Sequence, residues 1–258
     1  METGALGKKI FFLYPPPVLT EVVDVLARQE FEVYLSRSHE KLRRSIASFP
    51  DAIVFVNLDD GLDEAGWLDF VQGLRAEAPA VGIGVITLND DPDLREHYLM
   101  NLQVQCGFVI LKIGASKTAE ILAKTLEANE ARGRRKFVRA PCPPGTGQCS
   151  MDHEGATLRA ELTDLSSAGM AIRFDGGASL KVGSVLRDMS LIIKGQRLLA
   201  SGVVVAKRAG EDGAESVHVI MFDPGSLDDA RREKLKSLVF RINQSSMELA
   251  LERLSPSP

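Results

Sequence analysis

Two short clusters of charged and polar residues could do chemistry together. The first is Arg134-Arg135-Lys136-Phe137-Val138-Arg139, and the second, Asp164-Leu165-Ser166-Ser167-Ala168-Gly169, begins 25 residues after Arg139. A guanidinium is a planar fork of donors that fits the O6 and N7 acceptors of guanine and also a pair of phosphate oxygens, whereas a lysine ammonium is a point charge. Two arginines at this spacing therefore suit a ligand that carries both guanine and phosphate.

The second cluster supplies complementary groups. Asp164 can accept hydrogen bonds from the N1 and N2 donors of guanine or hold an arginine in place, and Ser166 can bond a phosphate or a base edge. Gly169 has no side chain and so lets a backbone approach closely. Each cluster alone is a weak signal, since basic runs are usually solvated linkers and Asp-x-Ser-x-x-Gly is compatible with an ordinary turn. Their conjunction is more specific.

The pair of clusters resembles the signature of the PilZ family of cyclic di-GMP receptors, which is Arg-x-x-x-Arg followed by Asp/Asn-x-Ser-x-x-Gly. The resemblance implies a first half on a flexible segment before a small β-barrel and a second half on the barrel surface, with cyclic di-GMP bridging them and no other cofactor. The ligand-binding residues that it implies are Arg134, Arg135, Arg139, Asp164, Ser166 and Gly169.

Length and charge bound the rest of the chain. The 258 residues fit two ordinary domains, each with enough apolar content for a core. A net charge of −4 argues against a general nucleic-acid or membrane-surface binder. Residues 131–139 nevertheless hold five basic side chains and no acidic one. They predict a local anion site in an acidic protein.

Three cysteines do not make a disulfide framework, and we expect a cytoplasmic protein without a leader or a membrane span. Cys142, Cys149 and His153 fit no common zinc spacing, so no metal is expected. The remaining histidines have no partners at the spacing of a general base or nucleophile pair. The protein is therefore predicted not to be an enzyme.

The first half alternates short apolar runs with amphipathic stretches, which predicts strands and helices around a parallel sheet. The predicted strands are 9–14, 31–35, 52–57, 82–87 and 107–112, and the predicted helices are 18–29, 39–48, 64–78, 92–101 and 116–131. This pattern resembles the flavodoxin-like α/β fold of response-regulator receivers, with strand order 2-1-3-4-5.

Only part of the receiver chemistry is present. Thr87 and Lys112 end the fourth and fifth predicted strands, where receivers place a hydroxyl residue and a lysine. The first strand, however, ends in Tyr14 instead of an acidic pair, and the third ends in Asn57, which cannot form an acyl phosphate. We therefore interpret this half as a degenerate receiver that docks a partner or a second copy.

Two acidic residues keep an alternative open. Asp59 and Asp60 follow Asn57 closely, beyond the register expected for a phosphoryl acceptor. Phosphorylation at either one stays an alternative at this point.

The second half has β-rich runs at 157–162, 168–174, 185–194, 198–208 and 216–222, separated by turn signals at 175–177, 194–195 and 210–213. This spacing predicts an antiparallel barrel, and the PilZ resemblance implies six strands. Ser226, with Asp229 three residues later, predicts the start of a C-terminal helix. That helix either packs on its own barrel or also forms a dimer or binds a target.

These observations predict an α/β domain at 1–130, a basic linker at 131–140 and a PilZ barrel with a C-terminal helix at 141–258. The function implied is a cyclic di-GMP receptor whose domain geometry changes with the ligand and controls a protein partner, reached through the receiver-like domain or the helix. Homodimerisation stays open, and neither nucleic acid nor membrane is expected as a partner. The alternatives are a phosphorylation-dependent adaptor and a PilZ-like scaffold that binds no ligand.

Overall fold

A computed structural model describes residues 7–209 and 216–254. The contacts divide the chain into two compact units, one of residues 1–136 with 244–258 and one of residues 137–243. The predicted turn at 210–213 lies outside the described residues. No helix in residues 7–209 and 216–254 combines the length and the apolar content that a bilayer crossing needs.

The first unit is built on a five-stranded parallel sheet flanked by helices. Its strands are β1 (Ile10–Leu13), β2 (Val33–Ser36), β3 (Ile53–Asn57), β4 (Gly82–Thr87) and β5 (Phe108–Ile110). Its helices are α1 (Leu19–Arg28), α2 (His39–Ser45), α3 (Glu64–Glu77), α4 (Pro92–Glu96) and α5 (Ala115–Ala128). The strand order is β2-β1-β3-β4-β5 with parallel neighbours throughout, which confirms the predicted flavodoxin-like fold and its strand order.

Local sequence explains these elements. Every residue of β3 is buried, as expected for a central parallel strand that is covered on both faces. Helix α1 buries one stripe of its surface at helical spacing. Helices α2, α3 and α4 begin after Ser38, Asp63 and Asp91, whose side chains accept hydrogen bonds from backbone N–H groups in the first turn.

Several predicted boundaries differ by a few residues in the structure, including those of α4 and β5. Helix α4 ends at Glu96, and the chain continues in a π-helical turn, His97–Asn101, where a single helix was predicted. Strand β5 ends at Ile110, so Lys112 lies in a short 3₁₀ turn beyond the strand. Gly114, with φ of 92°, then allows the reversal that starts α5.

The second unit is an antiparallel barrel. Its strands are β6 (Arg139–Pro141), β7 (Gly147–His153), β8 (Ala156–Ser166), β9 (Gly169–Phe174), β10 (Val185–Ile193), β11 (Gln196–Ala209) and β12 (Ser216–Phe222). Six of them close in the order β8-β7-β10-β11-β12-β9 and back to β8, which confirms the six-stranded barrel. Strand β6 is a seventh, short strand on the same edge of β8 as β7.

Strands β6 and β7 were not predicted. In β7 only alternate residues are buried, with Cys149 and Met151 in the barrel core, so the period of a strand is present without β-branched or aromatic residues to mark it. Strand β6 is three residues long and ends in Pro141, which is tolerated because the strand lies at an edge.

The C-terminal helix, α6 (Asp229–Arg253), begins at a different cap from the predicted one. The carboxylate of Asp228 accepts a hydrogen bond from the N–H of Arg231 at 2.8 Å, so Asp228 caps the helix. Ser226 instead lies in a 3₁₀ turn, where its Oγ accepts from the N–H of Ser201 at 3.0 Å. The predicted cap at Ser226 is therefore wrong, because this hydroxyl is bonded to a barrel strand.

The residues of α6 are divided between the two cores. Its first part contributes to the barrel core, through Leu235, Leu238, Val239 and Ile242. In the first unit, Met247 and Leu251 are buried in the α/β core. The Gln244 amide accepts from the N–H of Leu35 at 2.9 Å and donates to its carbonyl at 2.8 Å. Because β2 is an edge strand, Gln244 pairs backbone groups that the sheet leaves unpaired.

His218 is a buried titratable side chain of the barrel. Its ring is fully buried, packs edge-on against Phe174 with centroids 5.0 Å apart, and accepts a hydrogen bond from the N–H of Leu180 at Nε2. Burial, and then the charge of Lys207 opposite it on β11, lower the pKa of His218. The folded barrel therefore favours the neutral ring.

We expect the free energy of unfolding to fall as the pH drops below the unfolded pKa of histidine, about 6.5, because only the unfolded chain then takes up the proton. The loss approaches about 1.4 kcal/mol per pH unit until the folded pKa is reached. Urea unfolding at pH 7.5 and pH 5.5 measures it. His218→Gln should reduce the difference in the free energy of unfolding between pH 7.5 and pH 5.5. His97→Gln, a change in the other unit, should leave that difference as it is in the wild type. An unchanged difference in His218→Gln would contradict this account.

Candidate functional site

The strand register brings four of the six predicted site residues to one patch of the barrel. Arg139 of β6 lies opposite Ser166 of β8, and Ser166 lies opposite Gly169 of β9. Asp164 is two residues from Ser166 on the same strand. Residues opposite each other, or two apart, point to the same face of a sheet, and the alternate residues Ala140 and Leu165 lie in the core. The four predicted residues therefore share the outer face.

A bulge shapes this patch. The pairing of β8 with β9 steps from Leu162 opposite Ile172 to Asp164 opposite Ala171, which leaves Thr163 as an extra residue. Such a bulge bends a strand and redirects its side chains. Strand β6 takes over the edge of β8 just beyond the bulge, where the N–H of Cys142 donates to the Thr163 carbonyl at 3.0 Å. Asp164 is thus the first outward residue of a redirected strand end.

Ser166 has a structural partner. Its Oγ donates to the carbonyl of Gly169 at 3.1 Å and lies 3.4 Å from the N–H of Ala168, from which it accepts. The residue is only 8% exposed. The hydroxyl therefore closes the tight turn between β8 and β9, a role that sequence reasoning did not assign to it.

Gly169 is required by the neighbouring strand. A Cβ added at this position would overlap the carbonyl oxygen of Ile220 on β12 and come within 3.3 Å of the Met221 Cα. The backbone that approaches Gly169 is therefore that of β12. Close packing of strands explains the glycine without reference to a ligand.

The arginines differ in their placement. Arg134, Arg135 and Arg139 are all exposed, but only Arg139 lies in a strand. Arg134 and Arg135 lie between α5 and β6, in a stretch without regular secondary structure. The structure therefore places Arg139 in a paired strand, where the sequence predicted a flexible linker for residues 131–140. The boundaries 1–130, 131–140 and 141–258 themselves stay predictions.

Sequence reasoning missed one residue that positions this patch. Asn243 of α6 donates from Nδ2 to the carbonyl of Arg139 at 3.1 Å, and only 6% of it is exposed. It therefore fixes the backbone of β6 at the arginine itself. One sequence signal could have found it: Asn243 is a polar residue directly after Ile242, which belongs to the apolar stripe of the helix.

Cys142 and Cys149 are free thiols buried in the barrel core. Burial raises the pKa of both to about 12, and the carboxylate of Asp164 adds to the shift at Cys142. A cysteine binds a metal as a thiolate, and burial disfavours that charged form. Within residues 7–209 and 216–254 no group of three His, Cys, Asp or Glu side chains could hold a metal ion.

The carboxyl edge of the α/β sheet, where a receiver would be phosphorylated, is built differently. The Nδ2 of Asn57 donates to the Tyr14 carbonyl at 2.7 Å, and its Oδ1 accepts from the N–H of Asp59 at 3.1 Å. Asp59 accepts at Oδ1 from Thr87 Oγ1 at 2.9 Å and from Asn89 Nδ2 at 2.8 Å, and at Oδ2 from the N–H of Leu88. Both oxygens of Asp59 are thus bonded to the end of β4 and the residues after it.

We expect incubation with a small phosphodonor and Mg²⁺ to leave the intact mass unchanged. An attacking carboxylate oxygen of Asp59 would have to give up these hydrogen bonds, and Tyr14 stands where a receiver carries the acids that hold the metal. Intact mass spectrometry measures the adduct. A labile gain of one phosphoryl group that disappears in Asp59→Asn or in Asp60→Asn would contradict this expectation.

Comparison with known proteins gives a family match over the barrel. The fold and the patch define a two-part protein, a receiver-like α/β unit and a six-stranded barrel with a polar patch on its outer face. Residues 133–241 match the PilZ domain family. This confirms the predicted resemblance. A search of the curated proteins gives no match.

Solved structures resemble each half separately. The PilZ domain of YcgR from Escherichia coli, solved with c-di-GMP, has 19% identity and a TM-score of 0.38 over 45% of this chain and 97% of that chain. The MrkH–c-di-GMP complex of K. pneumonia has 22% identity and a TM-score of 0.34, and this chain spans about half the length of MrkH, 55%. The isolated REC domain of RcsB from Salmonella enterica serovar Typhimurium has 18% identity and a TM-score of 0.39 over 51% of this chain and 95% of that chain.

Proposed function

We propose that this protein is a non-enzymatic receptor for cyclic di-GMP. The observation that carries the proposal is the register that aligns Arg139, Ser166 and Gly169 across three strands, with Asp164 beside them, inside a PilZ domain. Arg139 offers a guanidinium fork, and Asp164 offers an acceptor for guanine N–H groups. Arg134 and Arg135 are proposed to close on the ligand from the preceding segment.

The energetics favour a ligand with several negative charges. The protein carries a net charge of −4, yet residues 131–139 contain five basic side chains and no acidic one. Charge-assisted hydrogen bonds from arginine to phosphate contribute about 1.5–3 kcal/mol each, which opposes the cost of ordering the segment. Because Arg134 and Arg135 precede the barrel and Arg139 belongs to it, we propose that closure changes the geometry between the two units.

The output of this receptor is proposed to be a protein partner. The candidates for its contact surface are the receiver-like unit and the exposed face of α6. The partner in such a contact can also be a second copy of this chain, which gives a homodimer. We expect no nucleic-acid or membrane partner, since the chain carries a net charge of −4 and its basic run without acidic residues, 131–139, is short. We also propose that this receptor is located in the cytoplasm.

A specific observation supports a second candidate, a PilZ-like scaffold that binds no ligand. Ser166 closes a turn and Gly169 accommodates β12, so both residues have structural roles without cyclic di-GMP. Arg139 distinguishes the two candidates, because its side chain is exposed while its backbone pairs with Ser166 and its carbonyl accepts from Asn243.

A calorimetric titration of the purified full chain tests the proposal. Cyclic di-GMP should give saturable binding, whereas GTP and cyclic di-AMP at the same concentrations should not. Cyclic di-AMP has the same phosphate ring without the guanine donors and so reports on base recognition. Absence of saturation by cyclic di-GMP would favour the scaffold, and equal binding of all three ligands would reduce the site to a general anion site.

A further inference from the structure

A continuous row of residues crosses the barrel from the polar patch into an apolar surface. Beyond Gly169, the register continues to Met221 on β12, then to Val203 on β11 and to Val185 on β10. Each member lies opposite the next one, so all point to the outer face. The full row is Arg139, Ser166, Gly169, Met221, Val203 and Val185.

The apolar end of this row is exposed to an unusual degree. Met221 is 56% exposed and Val185 is 57% exposed, with the half-buried Val203 between them. Their inward neighbours, Ile220 and Phe222 on β12, are buried in the core, so the core does not account for Met221. We call Met221, Val203 and Val185 the apolar shelf.

We propose that the apolar shelf binds the face of a purine base of the ligand, with Met221 as the contact that contributes most to affinity. This inference rests on the proposed function. The chemical order along the row matches a nucleotide: a cationic fork at Arg139, a hydroxyl at Ser166, no side chain at Gly169, and apolar groups from Met221 onwards. Phosphate suits the first end, and the flat face of a base suits the other.

The spacing of the row supports this arrangement. Neighbouring strands lie about 4.8 Å apart, so Met221 is about 5 Å from Gly169 and about 10 Å from Ser166 along the row. Since Gly169 carries no side chain, nothing projects from the sheet between Ser166 and Met221 in this row. A base can therefore lie flat over Gly169, with its edge near Ser166 and its face or rim against the thioether of Met221. A thioether is polarisable and contacts aromatic rings favourably.

The shelf also bears on selectivity. Hydrogen bonds at Asp164 read the guanine edge, whereas an apolar contact is satisfied by any purine face. The shelf should therefore raise the affinity for purine cyclic dinucleotides in general, with the discrimination against adenine left to the acceptor groups. This division assigns affinity to Met221 and base identity to Asp164.

The test uses the full chain with three single substitutions and calorimetric titration of cyclic di-GMP. Met221→Ser should weaken binding by about two- to tenfold, since the contact with the ring is lost. Met221→Trp should bind at least as tightly as the wild type, and the added indole should change its fluorescence when ligand stacks on it. The native Trp67 is buried in the α/β core, so it gives a constant background.

Ile192→Ser is the matched control. Ile192 is 50% exposed on the outer face of β10, where it lies opposite Arg197 and Gln148 and outside the row. This substitution should leave affinity unchanged, which separates a local contact from a general effect of polar replacements on the barrel. Equal losses in Met221→Ser and Ile192→Ser would overturn the proposal.

The outcomes separate this inference from the proposed function. Wild-type binding with unchanged affinity in Met221→Ser and no fluorescence change in Met221→Trp rejects the shelf and keeps the receptor. No binding by the wild type rejects both. If Met221→Ser keeps its affinity but shifts the oligomeric state measured by light scattering, the shelf is an interface with a second copy, and the base contact is again rejected.

Discussion

Replacement of Arg139 by alanine is expected to weaken cyclic di-GMP binding by tenfold or more. Each charge-assisted hydrogen bond to phosphate or guanine contributes about 1.5–3 kcal/mol, and 1.4 kcal/mol corresponds to a factor of ten. Because the side chain is exposed and Asn243 holds only the backbone, Arg139→Ala should leave β6 in place. Thermal unfolding should therefore change little while affinity drops.

Arg135→Ala should show a loss of similar size, and the double variant should lose about a hundredfold or more if the two contacts are independent. Arg139→Lys keeps the charge but removes the fork, so most of the loss should persist. Arg159→Ala is the matched control, because Arg159 is an exposed arginine on β8 outside the patch. Calorimetry measures all of these affinities. Unchanged affinity in both alanine variants would remove Arg135 and Arg139 from the site.

The second large effect is expected for Gly169→Ala, which should destabilise the barrel by about 1–3 kcal/mol, the usual cost of overpacking. The added methyl group would meet the Ile220 carbonyl, which belongs to a hydrogen-bonded strand and cannot move aside cheaply. Loss of ligand affinity in this variant would therefore not by itself place Gly169 in contact with the ligand. Urea unfolding and calorimetry have to be measured together.

Gly202→Ala provides the matched control for that measurement. A Cβ at Gly202 would overlap the carbonyl oxygen of Met221, so β12 is clamped by a glycine on each side. Both variants should lose stability, but Gly202→Ala should keep its affinity when folded, since Gly202 lies outside the motif. If Gly169→Ala lost affinity at full stability, its role would be ligand contact and not strand packing.

The α/β unit could be predicted closely because its signals are local. Strand 82–87 was predicted with its observed bounds, and the other four strands were found to within a few residues, since central parallel strands are continuous apolar runs between amphipathic helices. Asn57 and Tyr14 likewise argued from their types alone against the acidic site of a receiver, with Asp59 and Asp60 left as an alternative. Only the structure showed that Asp59 is bonded through both oxygens.

The barrel was predicted less completely. The five strands that were predicted, β8 to β12, each contain Val, Ile, Thr or Phe, whereas β7 alternates Gly147, Cys149 and Met151, which have little β propensity. Strand β6 is held by pairing with β8 and by Asn243, and neither interaction is local in sequence. The division of α6 between two cores could not be predicted either, because its apolar spacing does not say which core each residue enters.

The amino-acid sequence by itself determined the residue types of the site, because a guanidinium, a carboxylate and a missing side chain have fixed chemistry wherever they lie. It also determined the two fold classes, through their different apolar periods. The tertiary structure decided which residues meet: strand register set Arg139, Ser166, Gly169 and Met221 in one row. It also assigned Ser166 and Gly169 to the fold itself. Register depends on pairing between strands distant in sequence, and no local pattern encodes it.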